Sequence, residues 1–257
     1  MLRPSGAAAL ARLRHGRGGS PWRLRCLPVC ASTERELSDW LADDPWQGVI
    51  ARAVLAERQR AGHGQWGRVW TSPAGGVWLS AALPWPAQGC APALLGLAVA
   101  AALAERLRRA GLPVRIKWPN DLLVHGCKLA GILPRMVHRG ASVRLARVGV
   151  GLNVVNTVPP GAIAIADCLP AAQRSPQPLV WAAEVLEALD AAVVMAAEPS
   201  RVCAATEALL WAREVRSPDT GEAWSIQGLA EDGALLLANG ASTIRWTRWA
   251  DAPGSAP

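Results

Sequence analysis

The sequence contains no phenylalanine, no tyrosine and only two lysines, Lys117 and Lys128, beside 25 arginines. Aromatic packing must therefore come from its 13 tryptophans. Arginine is a planar, permanently charged fork, whereas lysine carries a compact ammonium, so the two do not replace each other at a shaped site. We therefore expect Lys117 and Lys128 to mark a site that needs a compact cation.

Patterns for metal binding and membrane crossing are also missing. The six cysteines include no CxxC pair and the four histidines show no ligand spacing with them, which argues against a zinc site. We expect reduced thiols and a cytoplasmic protein. The longest apolar stretch, residues 91–104, is too short to cross a bilayer and predicts a buried helix.

The net charge of +7 is concentrated at one end of the chain. Residues 1–33 hold six arginines and no acid, whereas the rest is close to neutral, with 21 basic residues against 20 acidic ones. A protein that binds nucleic acid should instead carry its basic residues on a folded face. We therefore predict no nucleic-acid partner and a disordered, arginine-rich leader over residues 1–21, with organelle targeting as the alternative for that leader.

Hydrophobic periodicity and turn residues predict a chain of alternating strands and helices. Strands are expected at residues 22–29, 53–59, 77–83, 114–117, 122–124, 128–133 and 143–153. Helices are expected at residues 34–41, 92–110, 179–197 and 201–212. From residue 213 the pattern changes to short strands joined by the hairpin pairs Asp232-Gly233 and Asn239-Gly240. We predict a main domain over residues 22–212 and a small β domain over residues 213–257.

Residues 59–68 form a loop with three glycines in six positions. Such a loop lets backbone N–H groups approach an anion, and it can order when a ligand arrives. The glycines match the GxGxxG motif of dinucleotide-binding folds. In those folds a helix begins at the motif, but no helix is predicted directly after these glycines, which argues against a dinucleotide-binding fold. Ser32-Thr33, before the helix at 34–41, provides a hydroxyl N-cap.

Several motifs occur in an order and spacing that resemble those of biotin protein ligases. They are Ser32-Thr33, Gln59 with its glycine-rich loop, Trp70 with Ser72-Pro73, residues 117–121 (KWPND), residues 128–133 (KLAGIL), residues 149–153 (GVGLN) and residues 228–237. Of these motifs, KWPND together with KLAGIL is the pair that distinguishes biotin protein ligases most specifically. The resemblance implies an α+β fold, in which a mixed β-sheet flanked by helices forms a biotin/lipoate ligase-like catalytic domain, followed by a small SH3-like β-barrel.

The resemblance also implies a reaction. Biotin and ATP would give biotinoyl-5′-AMP, and the biotinyl group would then pass to a lysine of the biotin carboxyl carrier domain of a carboxylase. Mg²⁺ would accompany ATP without a dedicated protein metal site. No membrane partner is implied, and a homodimer is possible.

Site residues follow from the same resemblance. It gives catalytic roles to Lys128 and Arg68, and contacts with biotin or the adenylate to Ser32, Thr33, Glu34, Gln59, Gly62, His63, Gly64, Gln65, Trp70, Lys117, Trp118, Asn120, Asp121, Lys128, Gly131, Gly151 and Asn153. Trp70 and Trp118 are expected as apolar walls of the biotin pocket, and Asn120 and Asp121 as contacts on the adenylate side.

Two positions depart from the family pattern. The family loop reads GRGRxGR, and here His63 and Gln65 replace two of its arginines. Neither supplies the permanent charge of arginine, so we expect weaker retention of the adenylate. Glu34 stands where the family usually has asparagine, and an ionised carboxylate cannot donate a hydrogen bond.

Three alternatives remain at this point. A lipoate or octanoate protein ligase shares the superfamily, although KWPND and KLAGIL argue against it. A bifunctional ligase that also represses transcription would need a winged-helix module ahead of the catalytic motifs, and the match begins within thirty residues of the start. A non-catalytic biotin-binding paralogue is compatible with the altered loop, but both lysines are present.

Overall fold

The computed structural model describes residues 6–15, 20–48, 50–85, 93–139, 142–170, 176–216 and 221–247. Its helices are α1 (Gly6–His15), α2 (Thr33–Asp43), α3 (Leu94–Arg109), α4 (Ile165–Cys168), α5 (Pro178–Met195) and α6 (Pro199–Glu207). Its strands are β1 (Trp22–Cys30), β2 (Ala51–Gln59), β3 (Val77–Leu83), β4 (Arg115–Lys117), β5 (Asp121–Val124), β6 (Cys127–Arg139), β7 (Ser142–Leu152), β8 (Glu214–Arg216), β9 (Ala223–Leu229), β10 (Leu235–Asn239) and β11 (Ser242–Trp246).

The larger sheet has seven strands in the order β1-β2-β3-β7-β6-β5-β4. Strands β1 and β2 are parallel, and the remaining neighbours are antiparallel. This confirms the predicted mixed sheet. The parallel pair requires a crossover, which α2 provides, whereas the short turn at His125-Gly126 closes the hairpin of β5 and β6.

Helices cover both faces of this sheet. On one face, the almost wholly buried α3 and the apolar side of α5 form the main core with alternate residues of β3 and β7. On the other face, α2 packs through Leu37 and Trp40 against Val54 and Ala82. Because successive strand residues point to opposite faces, the α2 side carries residues 147, 149 and 151 of β7. That side is where the candidate site lies.

The prediction of a disordered leader over residues 1–21 is wrong for residues 6–15, which form α1. Leu10 is fully buried in the main core. Arg14 is buried as well, and its guanidinium donates to Asp190 of α5 at 2.7 Å and stacks on the Trp22 ring at 5.4 Å. A tertiary partner therefore orders this segment, which its composition alone did not predict.

Strands β8 to β11 form a second, four-stranded antiparallel sheet in the order β11-β10-β9-β8. Leu235, Leu237 and Trp246 of this sheet belong to the same core cluster as α3 and α5. The indole N–H of Trp118 donates to the Gly233 carbonyl at 3.0 Å. An SH3-like barrel, and a domain boundary at residue 212, remain predictions.

Membrane-spanning helices were not expected from the sequence. Among the described residues, no helix combines the length and the apolarity that a bilayer crossing needs.

Candidate active site

The floor of the candidate site consists of three rows of residues that run across β6, β7 and β3. Each row is centred on one residue of β7, and the rows are Gly131-Gly151-Trp78, Leu133-Gly149-Ser80 and Arg135-Arg147-Ala82. Rows two residues apart are separated by about 6.7 Å, so the floor extends over about 13 Å. The first two rows have glycine at their centre, so no side chain covers the backbone there. The third row has the side chain of Arg147 at its centre.

Trp70 lies directly over the first row. A Cβ atom added to Gly131 would come within 2.9 Å of Trp70 Cζ3, and one added to Gly151 would collide with the Trp70 indole. The Trp70 ring also meets Trp78 edge-on, with 6.5 Å between ring centroids. Both glycines are therefore required for this indole to reach the sheet. We call the region bordered by Trp70, these glycines and the second row the candidate slot.

Lys128 lies beside Trp70 at this candidate slot. Its Nζ lies 5.0 Å from the centre of the Trp70 ring and 2.7 Å from Asp121 Oδ1. The Lys128 backbone is fixed on both sides, because its N–H donates to the Gly161 carbonyl at 2.8 Å and its carbonyl accepts from the Ile163 N–H at 3.0 Å. The main chain is thus held rigidly, while the half-exposed ammonium can exchange Asp121 for an incoming anion.

A buried polar wall stands beside the slot. Gln59 accepts hydrogen bonds from the Thr33 N–H at 2.8 Å and from the Thr33 hydroxyl at 3.0 Å, and it donates to Ser72 Oγ at 2.8 Å. Thr33 Oγ1 lies 2.9 Å from Ser80 Oγ of the second row. Ser32 caps α2 by accepting from the Arg35 N–H at 3.4 Å. These contacts place uncharged donors and acceptors together in an apolar setting.

The glycine-rich loop is anchored to the same wall. The Trp70 N–H donates to the Gly62 carbonyl at 2.9 Å, and a Cβ atom on Gly62 would lie 2.6 Å from Ser72 Oγ, so only glycine fits there. Beyond Gly62 the chain makes a 3₁₀ turn at Gln65–Gly67, with Trp66 in the left-handed region at φ 61°. His63 and Arg68, on either side of this turn, are exposed.

Glu34 and Arg147 form an ion pair at the third row, with 2.7 Å between Oε1 and Nη2. Arg147 Nη2 also donates to the Glu34 carbonyl at 2.9 Å and to Ser38 Oγ at 2.7 Å. Burial raises the pKa of Glu34, an effect that Arg147 opposes, and burial lowers the pKa of Arg147. Burial therefore disfavours the charged form of both side chains, and each charge offsets this cost for the other.

The structure places four of the expected site residues away from the slot or in supporting roles. Trp118 is buried and bonds to Gly233, so it is not a wall of this slot. Asn120 donates to the Ile132 carbonyl at 2.8 Å, and buried Asn153 accepts from Asn156 at 3.0 Å and donates to the Lys128 carbonyl at 3.4 Å. Lys117 is half-buried opposite Asp121 in the β4–β5 pair.

Sequence reasoning missed Ser80 and Arg147. A usable signal was present for Arg147, because it alternates with Gly149 and Gly151 and must share their face. Ser80 has no such signal, since a serine within an apolar strand indicates nothing about its partner.

Metal ligation and thiol chemistry find little support here. The part of the chain that the structure describes contains no group of three or more histidine, cysteine, aspartate or glutamate side chains arranged to hold a metal. Cys26, Cys30, Cys127, Cys168 and Cys203 are free. Burial raises the pKa of Cys30 to about 11, so its thiol is protonated at neutral pH and is a poor nucleophile.

Comparison with known proteins gives consistent results. The model of the biotin/lipoate A/B protein ligase family matches residues 28–153. The bifunctional ligase/repressor BirA of Bacillus subtilis is 37% identical over 129 residues, which are 49% of this chain and 38% of that protein. The biotin–[acetyl-CoA-carboxylase] ligase of Mycobacterium tuberculosis is 36% identical over 159 residues, which are 58% of this chain and 57% of that protein.

Among solved structures, the biotin protein ligase of Aquifex aeolicus in complex with biotin and ATP aligns with a TM-score of 0.70 and 23% identity. The alignment covers 88% of this chain and 96% of that one, and it shows a shared fold. The chain spans less than two thirds of the length of the curated relatives reported above. The family match, the curated relatives and the shared fold all indicate similarity to the biotin/lipoate A/B protein ligases, and in particular to biotin protein ligases.

Proposed function

We propose that this protein activates biotin with ATP to form biotinoyl-5′-AMP and then transfers the biotinyl group to a lysine of a biotin carboxyl carrier domain. The observation that carries the proposal is the position of Lys128, whose ammonium lies 5.0 Å from the centre of the Trp70 ring that covers the glycine floor. Curated relatives that bear the name biotin–[acetyl-CoA-carboxylase] ligase support the same conclusion.

The position of Lys128 suits the chemistry of adenylation. The biotin carboxylate must attack the α-phosphorus of ATP, and this step brings two anions together while negative charge grows on the phosphate. A cation placed there stabilises that charge, and Lys128 is already near Asp121, which it can release in exchange for the phosphate. Arg68, on the exposed loop, is the second cation of the proposal.

The slot also suits the shape of biotin. Biotin has a polar ureido group at one end, an apolar bicycle in the middle and a carboxylate at the other end. Thr33 and Gln59 offer hydrogen-bonding atoms near the second row, and Trp70 offers an apolar face over the first. The carboxylate would then point towards Lys128, so the order of groups in the slot matches the order of groups in the ligand.

The remaining features are proposed with the reaction. Mg²⁺ would be held mainly by the ATP phosphates, because this ion retains water and uses few protein ligands. We place the protein in the cytoplasm on the support of its free thiols, which fit a reducing compartment. A homodimer, no nucleic-acid partner and no membrane partner complete the proposal.

The direct test is to incubate the protein with biotin, ATP, Mg²⁺ and an isolated biotin carboxyl carrier domain, and to measure the mass of that domain. We expect the mass of one biotinyl group to be added. Lys128→Gln should slow the reaction by about 100- to 1000-fold, the usual effect of removing a group that stabilises transition-state charge.

The control is Arg109→Gln, which removes an exposed cation far from the slot and should leave the rate unchanged. An unmodified carrier domain, or modification by octanoate instead of biotin, would overturn the proposed function. A Lys128→Gln rate equal to that of the wild type would show that this lysine has another role.

A further inference from the structure

Lysine amines are almost absent from this protein, although positive charge is not. The sequence has 25 arginines and two lysines. In the part of the chain that the structure describes, the exposed basic side chains other than histidine are all arginines. Lys117 and Lys128 are both partly buried, with 35% of the Lys128 side chain exposed. The surface is therefore cationic, but it presents no fully exposed lysine.

Three of the exposed arginines lie around the candidate slot. Arg135 is the β6 residue of the third row, two positions beyond Leu133 of the second row, so it belongs to the slot face of the sheet. Arg60 directly follows the polar wall, and its N–H donates to the Cys30 carbonyl at 3.0 Å. Arg68 lies on the glycine-rich loop. We call these three residues the rim arginines.

The chemistry of the proposed intermediate makes amines at this rim important. Biotinoyl-5′-AMP is a mixed anhydride, and the nitrogen of a neutral lysine amine attacks its acyl carbon. A C–N bond forms, the bond from that carbon to the phosphate oxygen breaks, AMP leaves with the electron pair, and the proton of the new ammonium passes to solvent. A lysine at the rim would therefore compete for the biotinyl group. A guanidinium does not compete, because it stays protonated in proteins.

The two lysines of the sequence both adjoin one carboxylate. Lys128 Nζ lies 2.7 Å from Asp121 Oδ1, and Lys117 is the cross-strand partner of Asp121 in the β4–β5 pair. Lys128 acts as a cation both in this ion pair and in the proposed contact with phosphate, and an ammonium has no lone pair with which to attack an acyl group. Neither lysine is thus placed as an open acceptor at the rim.

We propose that the rim arginines determine acceptor specificity. They place positive charge near the adenylate and present no amine to it, so that the lysine of the carrier domain is the only lysine side chain that takes the biotinyl group. The inference rests on the proposed function, because the adenylate is the reactive species. Arg68 also has a proposed catalytic role, so Arg60 and Arg135 are the positions to test.

Arg60→Lys and Arg135→Lys test the inference, because each keeps the charge and adds an amine. Each variant is incubated with biotin, ATP and Mg²⁺ without a carrier domain, and digestion followed by mass spectrometry locates the biotinyl groups. An amine tethered beside the slot has an effective concentration of about a millimolar, so its modification should be at least about tenfold faster than that of a distant amine. The rate per molecule should not change when the enzyme is diluted.

Arg12→Lys and Arg109→Lys are the matched controls. They introduce the same amine at exposed positions of α1 and of the end of α3, on the opposite side of the sheet from the slot. Because arginine predominates over the whole surface, this comparison separates a role of the rim from overall composition. Equal rates at all four positions would show that only released adenylate reacts, and would overturn the inference.

Thermal unfolding shows whether each variant is folded, and the two rim positions are independent of each other. Folded rim variants that modify the carrier domain but acquire no biotin at positions 60 and 135 would also overturn the inference.

The wild-type protein separates the inference from the proposed function. It should modify the carrier domain, while Lys117 and Lys128 acquire biotin at least about tenfold more slowly than position 60 of the Arg60→Lys variant, as for amines that are not open acceptors. Modification of either lysine as fast as that of the rim variants would overturn the inference and leave the proposed function in place. A wild-type protein that forms no biotinoyl-5′-AMP would overturn both.

Discussion

At the scale of single residues, the glycine-rich loop differs from its family pattern in charge. His63 and Gln65 stand where the family has arginines, and both lie outside the buried polar wall, with His63 exposed. The loop therefore keeps the glycines that shape it, including Gly62 against Ser72, while it has fewer permanent cations near the slot. We expect this to affect how long the enzyme retains its adenylate rather than whether it folds.

Restoring the arginines tests that expectation. A His63→Arg/Gln65→Arg variant should release biotinoyl-5′-AMP at least ten- to a hundredfold more slowly, because even one charge-assisted hydrogen bond adds about 1.5 to 3 kcal/mol. Release is measured by trapping the freed adenylate in a pulse-chase experiment. Arg12→Gln, which alters an exposed cation on α1, serves as the control, and an unchanged release rate in the double variant would contradict the expectation.

At the scale of elements, the strands and helices of the main sheet were largely predictable. Residues 77–83 form β3 as predicted, and α3 ends where Gly111 adopts a φ of 88°. Periodicity and terminating glycines are local signals, so one sequence suffices to detect them. The short α4 was not predicted, because its four residues lie in a proline-rich connection and depend on bonds such as Ile165 N–H to the Asn153 carbonyl.

The candidate site was predictable only in part, for the same reason. The motif glycines Gly131 and Gly151 could be identified from the sequence. That both leave space for the Trp70 indole could not, because this depends on the register of β6 and β7. The ion pair of Glu34 and Arg147 joins residues 113 positions apart, and no local pattern couples them. Pairings of this kind follow from strand register and helix placement.

The same register predicts a difference between two glycines of β7. Gly151→Ala should displace Trp70 from the first row and raise the Kd for biotin at least tenfold, because the new methyl group and the indole cannot occupy the same space. Gly149→Ala is the control, since its Cβ would lie 3.3 Å from Leu133 Cβ, a tight contact that leaves Trp70 in place. Calorimetry with biotin measures both, and equal effects would contradict the assigned role of Trp70.

At the scale of the whole molecule, the N-terminal helix is an integral part of the core. Leu10→Ala should lower the free energy of unfolding by about 2 to 5 kcal/mol, the usual cost of removing a fully buried leucine side chain. Urea unfolding followed by circular dichroism measures this change. Arg12→Ala, at an exposed position of the same helix, should cost less than about 0.5 kcal/mol. Similar values for both would mean that α1 does not pack on the body in solution.

The hydrogen bond between Trp118 and Gly233 limits which C-terminal sheets could replace the sheet of this protein. A Cβ atom on Gly233 would lie 2.8 Å from Leu97 of α3, and Glu207 of α6 accepts from the Leu229 N–H at 2.5 Å. A shortened chain ending at residue 212 would expose both attachment points to water. Transplanting the terminal sheet from a relative should therefore succeed only when the donor brings a glycine and a main-chain carbonyl to the same tryptophan.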